Sequence, residues 1–524
     1  MLNPSPISGS NCRWLAAIVF AALLIRLLAA YLQPNYIDEG YNYYLCKAGI
    51  KTVIEEMKTD VHTPVTQIAV YPLTLITSDI FYLRLPSVFC STLTVCLSFF
   101  LFRHFAEEHC ALLLTLFTAV SYTLWNNDVL MRPYGPLTMF LVLVWLGMLG
   151  IYKQGVPYCT EIGRHPRLCW TIFFIACLGA GSYHLLGCLA LSVCVCCAAA
   201  MRSCGTSAKR LAAGCIAAGI LPSMLWFVWG PLKHKIESPA TLIKTNIISD
   251  IIGIPTYLLN AASLKVLCNY TDALWALLLT PCLPKIMTAV SAAILALYML
   301  GAYKLLRENL WTGCWLLVSF WGPVGVLLLG GKLGLIDFFQ VRYAVPLLLP
   351  FVICLYSGCP SYCKKTLCCV LIAIGTAACL LFPNHSQLWN QYWQSAVDFI
   401  DQRQRPSDVI CVNLAYTTYS FCMAYNCENI SFIFQPETKA VFSRQNSTPG
   451  KLLVYPLMPR SCSEDLLKAF GEKRIFLVLC ESELENDAVF SWLLQHYKIC
   501  DSTEFKSENS WADVRVYLLE RQHS

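Results

Sequence analysis

A succession of apolar runs constrains this chain more than any other feature. Bounded by basic or turn residues, the windows are 14–32, 80–102, 110–125, 134–152, 168–183, 184–201, 211–230, 285–305, 310–330, 343–358 and 366–382. They make about eleven spans by the ~20-residue length that a helix needs to cross the hydrocarbon core of a bilayer. In hydrocarbon the backbone must satisfy its own hydrogen bonds, so such runs fold as helices. Composition agrees, with 57% hydrophobic and 13% charged residues against roughly 25% charged in a soluble protein. That balance excludes a cytosolic enzyme, a secreted disulfide scaffold and a disordered chain. The net charge of +6 is small and scattered, which excludes nucleic acid as a partner. Most of the 29 cysteines sit inside apolar runs, where cysteine acts as a small hydrophobe.

The expected architecture is an α-helical polytopic membrane protein. Lysine and arginine set its orientation through the short loops. With the N-terminus inside, the inner loops hold Arg103, Lys153, Arg164, Arg167, Arg202, Lys209, Arg210, Lys304, Arg307, Lys364 and Lys365. The first run is a retained anchor rather than a signal peptide, because Arg26 interrupts it and no small-residue cleavage site follows. An odd number of spans then puts the C-terminus outside.

After the last window the pattern changes. Residues 1–383 read as the membrane domain and 384–524 as a small extracytoplasmic α/β domain, with strand-like runs at 409–414, 452–457, 475–479 and 514–519. Helical patterns at 389–400 and 485–497 lie between them, and such alternation marks an α/β unit. No glycine-rich fingerprint accompanies it, so nucleotide binding is not expected. Six cysteines fall here, at Cys411, Cys422, Cys427, Cys462, Cys480 and Cys500, and spacing does not fix any pairing. Asn269, Asn384, Asn429 and Asn446 open N-glycosylation patterns on the same predicted side.

The first outer loop, 33–79, carries the chemistry. It opens on the adjacent carboxylates Asp38 and Glu39 at the end of a span, a costly place for charge without a function. An amphipathic helix is expected over 46–58, suited to the membrane interface, and His62 follows it. Other polar groups fall at the predicted outer ends of different spans: Arg84, Asp128, Arg132, Tyr134, His184, Arg342 and Tyr343. Their convergence on one outward-facing cavity is the expectation. Arg26 lies deeper in its span and reads as the partner of a buried acid.

Acidic pair, interfacial helix, His62-Thr63-Pro64, Arg84-Leu85-Pro86-Ser87, Arg132-Pro133-Tyr134 and Arg342-Tyr343 follow one another in an order that resembles the type-C glycosyltransferases. The branch it resembles contains the protein O-mannosyltransferases and the lipid A aminoarabinose transferases. The resemblance covers most of the membrane region and is strongest over 37–134. It implies transfer of a sugar from a polyprenyl-phosphate carrier to a glycan, lipid or protein acceptor on the outer face, with inversion. Asp38 is then the candidate general base and Glu39 its partner. Arg132, Arg342 and Arg84 are candidates for the donor phosphate. His62, Asp128, Tyr134, His184 and Tyr343 are candidates for substrate binding. No cofactor is required by this reading. The aminoarabinose branch has a metal-binding glutamate where this chain has Val61, so a metal site is not expected; His62 and His184 with a carboxylate are the set that a divalent ion such as zinc would use. Family prevalence implies a bacterial cytoplasmic membrane. The rival class is a transporter or flippase of lipid-linked sugars, against which stand the gathering of polar residues at the outer ends, the lack of a visible repeat and the large outer domain after the spans. The outer segment 231–272 reads as a lid or a connecting loop.

Overall fold

The computed structural model describes residues 7–33, 37–58, 62–158, 165–201, 205–229, 283–332, 341–380, 393–405, 407–413, 415–425, 442–443, 453–457, 470–480, 488–505 and 514–522. The segment 231–272, the four glycosylation patterns, Cys427 and Cys462 lie outside the described residues. Two compact units result. The first comprises Met1–Tyr31, Val53–Val70 and Phe81–Leu381, and the second Leu32–Thr52, Tyr71–Ile80 and Phe382–Ser524.

The chain is a polytopic, mostly helical membrane protein. Its helices begin with α1 (Gly9–Leu32), α2 (Ile37–Lys47), α3 (Ile50–Met57), α4 (Val65–Thr74), α5 (Ile80–Phe102), α6 (Glu108–Val120), α7 (Tyr122–Asp128) and α8 (Tyr134–Gln154). There follow α9 (Pro166–Tyr183), α10 (Leu185–Ala199), α11 (Thr206–Trp229), α12 (Leu283–Glu308) and α13 (Leu310–Lys332). A 3₁₀ turn, η1 (Val341–Leu347), leads into α14 (Leu348–Gly358) and then α15 (Lys364–Leu380). Among the described residues five helices are long and apolar enough to cross a membrane, and four further apolar helices are shorter. The count of eleven windows is not confirmed by length and composition among the described residues. One reason is local: the window 110–125 is broken at Ser121, whose extended ψ of 105° separates α6 from α7.

Small residues let the helices of the first unit touch. A Cβ on Gly181 (α9) would run into the Gly219 carbonyl of α11, and one on Gly301 (α12) into the Cys354 carbonyl of α14. The Ser223 hydroxyl donates to the Gly181 carbonyl at the first of these crossings. Close backbone approach of this kind replaces the hydrophobic drive that lipid removes. Helix α8 ends on Gly155, left-handed at φ 75°, whose N–H donates to the Ile151 carbonyl at 2.8 Å, the usual solution for a helix C-terminus.

The interfacial helix expected over 46–58 is two helices. Gly49 adopts φ 101°, which only glycine takes readily, and it ends α2 so that Cys46 belongs to α2 and not to α3. Val53 and Met57 form the buried side of α3, while Lys51 and Glu55 are exposed.

The second unit adds α16 (Trp393–Asp401), β1 (Val409–Asn413), α17 (Ala415–Ala424), β2 (Phe442–Ser443), β3 (Leu453–Leu457), β4 (Ile475–Cys480), α18 (Ala488–Leu494), β5 (Tyr497–Phe505) and β6 (Val514–Arg521). The strands form one sheet in the order β2-β3-β1-β4-β6-β5, with β3, β1 and β4 parallel and the remaining pairs antiparallel. All four expected strands are present; β2 and β5 are additional. Cys411, Ile475, Leu477, Phe490, Leu493 and Leu519 share one core beneath the sheet. At its base Arg474 grips buried Asp408 with two bonds, at 3.0 and 2.7 Å. Helix α2 packs along α17, so the segment that begins with the acidic pair belongs to the same compact unit as the C-terminal sheet. Cys411 and Cys422 are buried, whereas Cys500 is an exposed free thiol, as is Cys12 near the start of the chain.

Candidate functional site

Asp38 and Glu39 occupy the first turn of α2, where the helix dipole favours negative charge. Glu39 is fully buried and Asp38 half-buried. One turn further, burial pushes the Tyr43 hydroxyl above its ordinary pKa, with a hydrogen bond from Ser78 pulling the other way.

In the helical unit four of the sequence-predicted residues, His62, His184, Tyr134 and Arg132, form a row. His62 and His184 face each other through an isolated antiparallel bridge, their rings 4.9 Å apart and inclined at 74°. The Tyr134 ring lies 6.0 Å from that of His184, and the Arg132 guanidinium stands 5.4 Å from the centroid of Tyr134. Arg132, Tyr134 and His184 are all buried.

Local structure explains each position. His184 breaks the chain between α9 and α10 in an extended conformation, and its Nδ1 accepts the Leu186 N–H at 2.9 Å, capping α10. His62 is held by its neighbour, because the Thr63 hydroxyl bonds the carbonyls of Ser182 and Tyr183 at the end of α9. Proline in place of Thr63 would supply no such donor. Arg132 and Tyr134 sit on the turn 129–133 between α7 and α8 and at the start of α8. That turn is tight: a Cβ on Gly135 would lie 2.5 Å from the Asp128 carbonyl oxygen and 3.1 Å from that of Ser87.

Behind the row lies a second polar set. Arg26 is fully buried and its Nε donates to Ser91 Oγ at 2.7 Å, while Ser91 Oγ donates to Asp128 Oδ2 at 3.4 Å. Arg26 Nη1 also bonds the Ala119 carbonyl at 3.1 Å. Arg26 thus partners a buried acid through a serine. Arg84 is also fully buried and donates to the Ala30 carbonyl at 2.8 Å, near the C-terminal end of α1, where a cation is favoured. Sequence reasoning missed Ser91 and Thr63; a hydroxyl in an apolar run is too common to signal anything. Arg342 and Tyr343 begin η1, which packs against α7 and α8; their side chains lie outside the described residues.

Among the described residues the facing imidazoles of His62 and His184 are the pair that could begin a metal site. Among the described residues no group of three or more histidine, cysteine, aspartate or glutamate side chains can hold one.

No protein-family model and no curated protein matches this sequence. Among solved structures, ArnT from Cupriavidus metallidurans bound to undecaprenyl phosphate is 12% identical, with a TM-score of 0.45 over 96% of this chain and 98% of that one. The same protein in its apo state is 12% identical, with a TM-score of 0.46 over 97% and 98%. The Archaeoglobus fulgidus oligosaccharyltransferase in complex with zinc and sulfate is 12% identical, with a TM-score of 0.45 over 91% of this chain and 69% of that one. ArnT is the lipid A aminoarabinose transferase, of the branch whose motif order this sequence resembles. At 12% identity and TM-scores below 0.5, the likeness assigns no activity to this chain.

Proposed function

We propose that the protein is a membrane glycosyltransferase that moves a sugar from a polyprenyl-phosphate carrier to a glycan, lipid or protein acceptor outside the cytoplasm. The observation that carries this reading is the row of Arg132, Tyr134, His184 and His62, in which a buried guanidinium is gathered with three ring side chains from separate stretches of chain. A guanidinium keeps its charge when buried and matches phosphate oxygens in bidentate geometry. Aromatic and imidazole rings beside it suit an apolar carrier that ends in a phosphate and a sugar.

In this reading Asp38 accepts the proton of the acceptor hydroxyl. That oxygen bonds to the anomeric carbon from the face opposite the phosphate, and the bond from the carbon to the phosphate oxygen breaks with inversion. Glu39 orients the acceptor. The lipid phosphate leaves as an anion held by Arg132 and Arg342, with Arg84 supporting it and Tyr343 lining the donor groove. No cofactor enters. In this reading the N-terminus lies in the cytoplasm and residues 384–524 outside, in a bacterial cytoplasmic membrane.

The test is donor cleavage by purified protein in liposomes, with labelled polyprenyl-phosphate sugars and mixed envelope acceptors, wild type beside Asp38→Asn. Transfer by wild type alone supports the reading. Intact donor moved to the opposite leaflet without transfer would replace it with a flippase.

A further inference from the structure

The residues behind the row have a task of their own. Three helices converge on one buried chain of polar groups: α1 supplies Arg26, α5 supplies Ser91, and α7 ends on Asp128. All three side chains are 0% exposed. Burying a guanidinium and a carboxylate is costly, and a fold that only needed to join these helices has cheaper means in the small residues used elsewhere. The placement of the pair is informative. Asp128 is the last residue before the turn 129–133, and its carbonyl abuts Gly135 on the far side of that turn. Both ends of the turn are therefore fixed through Asp128, its carboxylate toward Ser91 and its carbonyl against α8. The group carried on the turn is Arg132.

We infer that Arg26, Ser91 and Asp128 form a positioning relay that sets the turn 129–133 and so fixes the Arg132 guanidinium against Tyr134. The ligand class follows only if Arg132 binds the donor phosphate, so that part rests on the reading above; the mechanical part does not. Asp128 acts through Arg132 and has no direct contact with the carrier.

The experiment has two arms, run on the full-length protein in nanodiscs. Hydrogen exchange of the backbone amides in 129–134 is compared in wild type, Asp128→Asn, Ser91→Ala and Arg26→Gln. Each variant should exchange this segment at least tenfold faster while α13 is unchanged. Unchanged exchange over 129–134 overturns the relay, and equal acceleration in α13 reduces it to general destabilisation. The second arm measures the Kd for polyprenyl monophosphate in a double-mutant cycle. Asp128→Asn should weaken binding about tenfold alone and less than twofold when Arg132 is already alanine. The same factor in both backgrounds means that Asp128 affects binding independently of Arg132, and the relay is wrong. If wild type binds no polyprenyl monophosphate, the donor reading fails, and the exchange arm still decides the relay.

Discussion

The imidazoles of His62 and His184 meet edge to face, 4.9 Å apart, on backbones that pair across an isolated bridge. One lies just after α3, the other at the break between α9 and α10. The pairing ties the stretch that follows α3 to the α9–α10 break, at the point where Tyr134 and Arg132 continue the row. The two histidines therefore act first as a joint, and any contribution to binding is built on that joint.

Replacing His184 should separate these parts. His184→Ala removes the acceptor for the Leu186 N–H and should cost about 0.5–2 kcal/mol, the usual worth of a helix cap. His184→Asn keeps a capping oxygen and should recover most of that loss in thermal unfolding, while the ring contacts with His62 and Tyr134 stay broken. Equal unfolding temperatures for the two variants would show that the cap is unimportant.

The acidic pair and the arginines should fail differently in kinetics. Asp38→Asn should lower turnover by roughly 10²–10⁴-fold with carrier binding retained, as loss of a general base does. Arg132→Ala or Arg342→Ala should raise KM for the donor as well as reduce turnover, and lysine should restore either one incompletely. Normal turnover by Asp38→Asn removes the base assignment.

Two glycine substitutions give opposite signs. Gly301→Ala drives a methyl into the Cys354 carbonyl and should destabilise by about 1–3 kcal/mol or more. Gly214→Ala meets nothing within 4 Å and lies inside α11, so it should be neutral or stabilise by up to about 1 kcal/mol. Melting in detergent, read side by side, checks both.

His104, between α5 and α6, gives a dependence on pH. Burial, then the charges of Lys153 and Arg103, hold its pKa down at about 3, and Lys153 Nζ lies 3.2 Å from its Nδ1. The unfolded chain takes up this proton near pH 6.5 and the folded chain does not. Its contribution to stability is complete above that pH and should fall by about 1.4 kcal/mol per unit as the medium is acidified toward pH 3. His104→Gln should flatten the unfolding temperature between pH 7.5 and 5; an unchanged slope would assign the acid sensitivity elsewhere.

Much of this was readable along the chain because periodicity is local. The four strands with near-continuous apolar runs announced themselves, whereas β5, Tyr-Lys-Ile-Cys-Asp-Ser-Thr-Glu-Phe, lies at the sheet edge and is mostly exposed, so it carries too little apolar signal. The boundary between α2 and α3 was missed because Gly49 sits inside a pattern that continues helical spacing on both sides. That α2 would pack along α17 was not legible, since the two lie at opposite ends of the chain and nothing in either names the other. Within the candidate site the charged and aromatic members were visible as types out of place near a membrane. Ser91, the link between Arg26 and Asp128, was not, because a lone hydroxyl costs little to bury when a backbone carbonyl is near.

The unpaired sulfurs make the molecule its own compass. Cys12 and Cys500 are both free and exposed, one in the opening turn of α1 and the other on the outermost strand of the sheet. Many other thiols lie in apolar helices, out of reach of a reagent that stays in water. A maleimide that cannot cross lipid, added to sealed vesicles, would distinguish the two sides of the bilayer without a single engineered residue. With the N-terminus inside, it labels Cys500 in right-side-out vesicles and Cys12 in inverted ones.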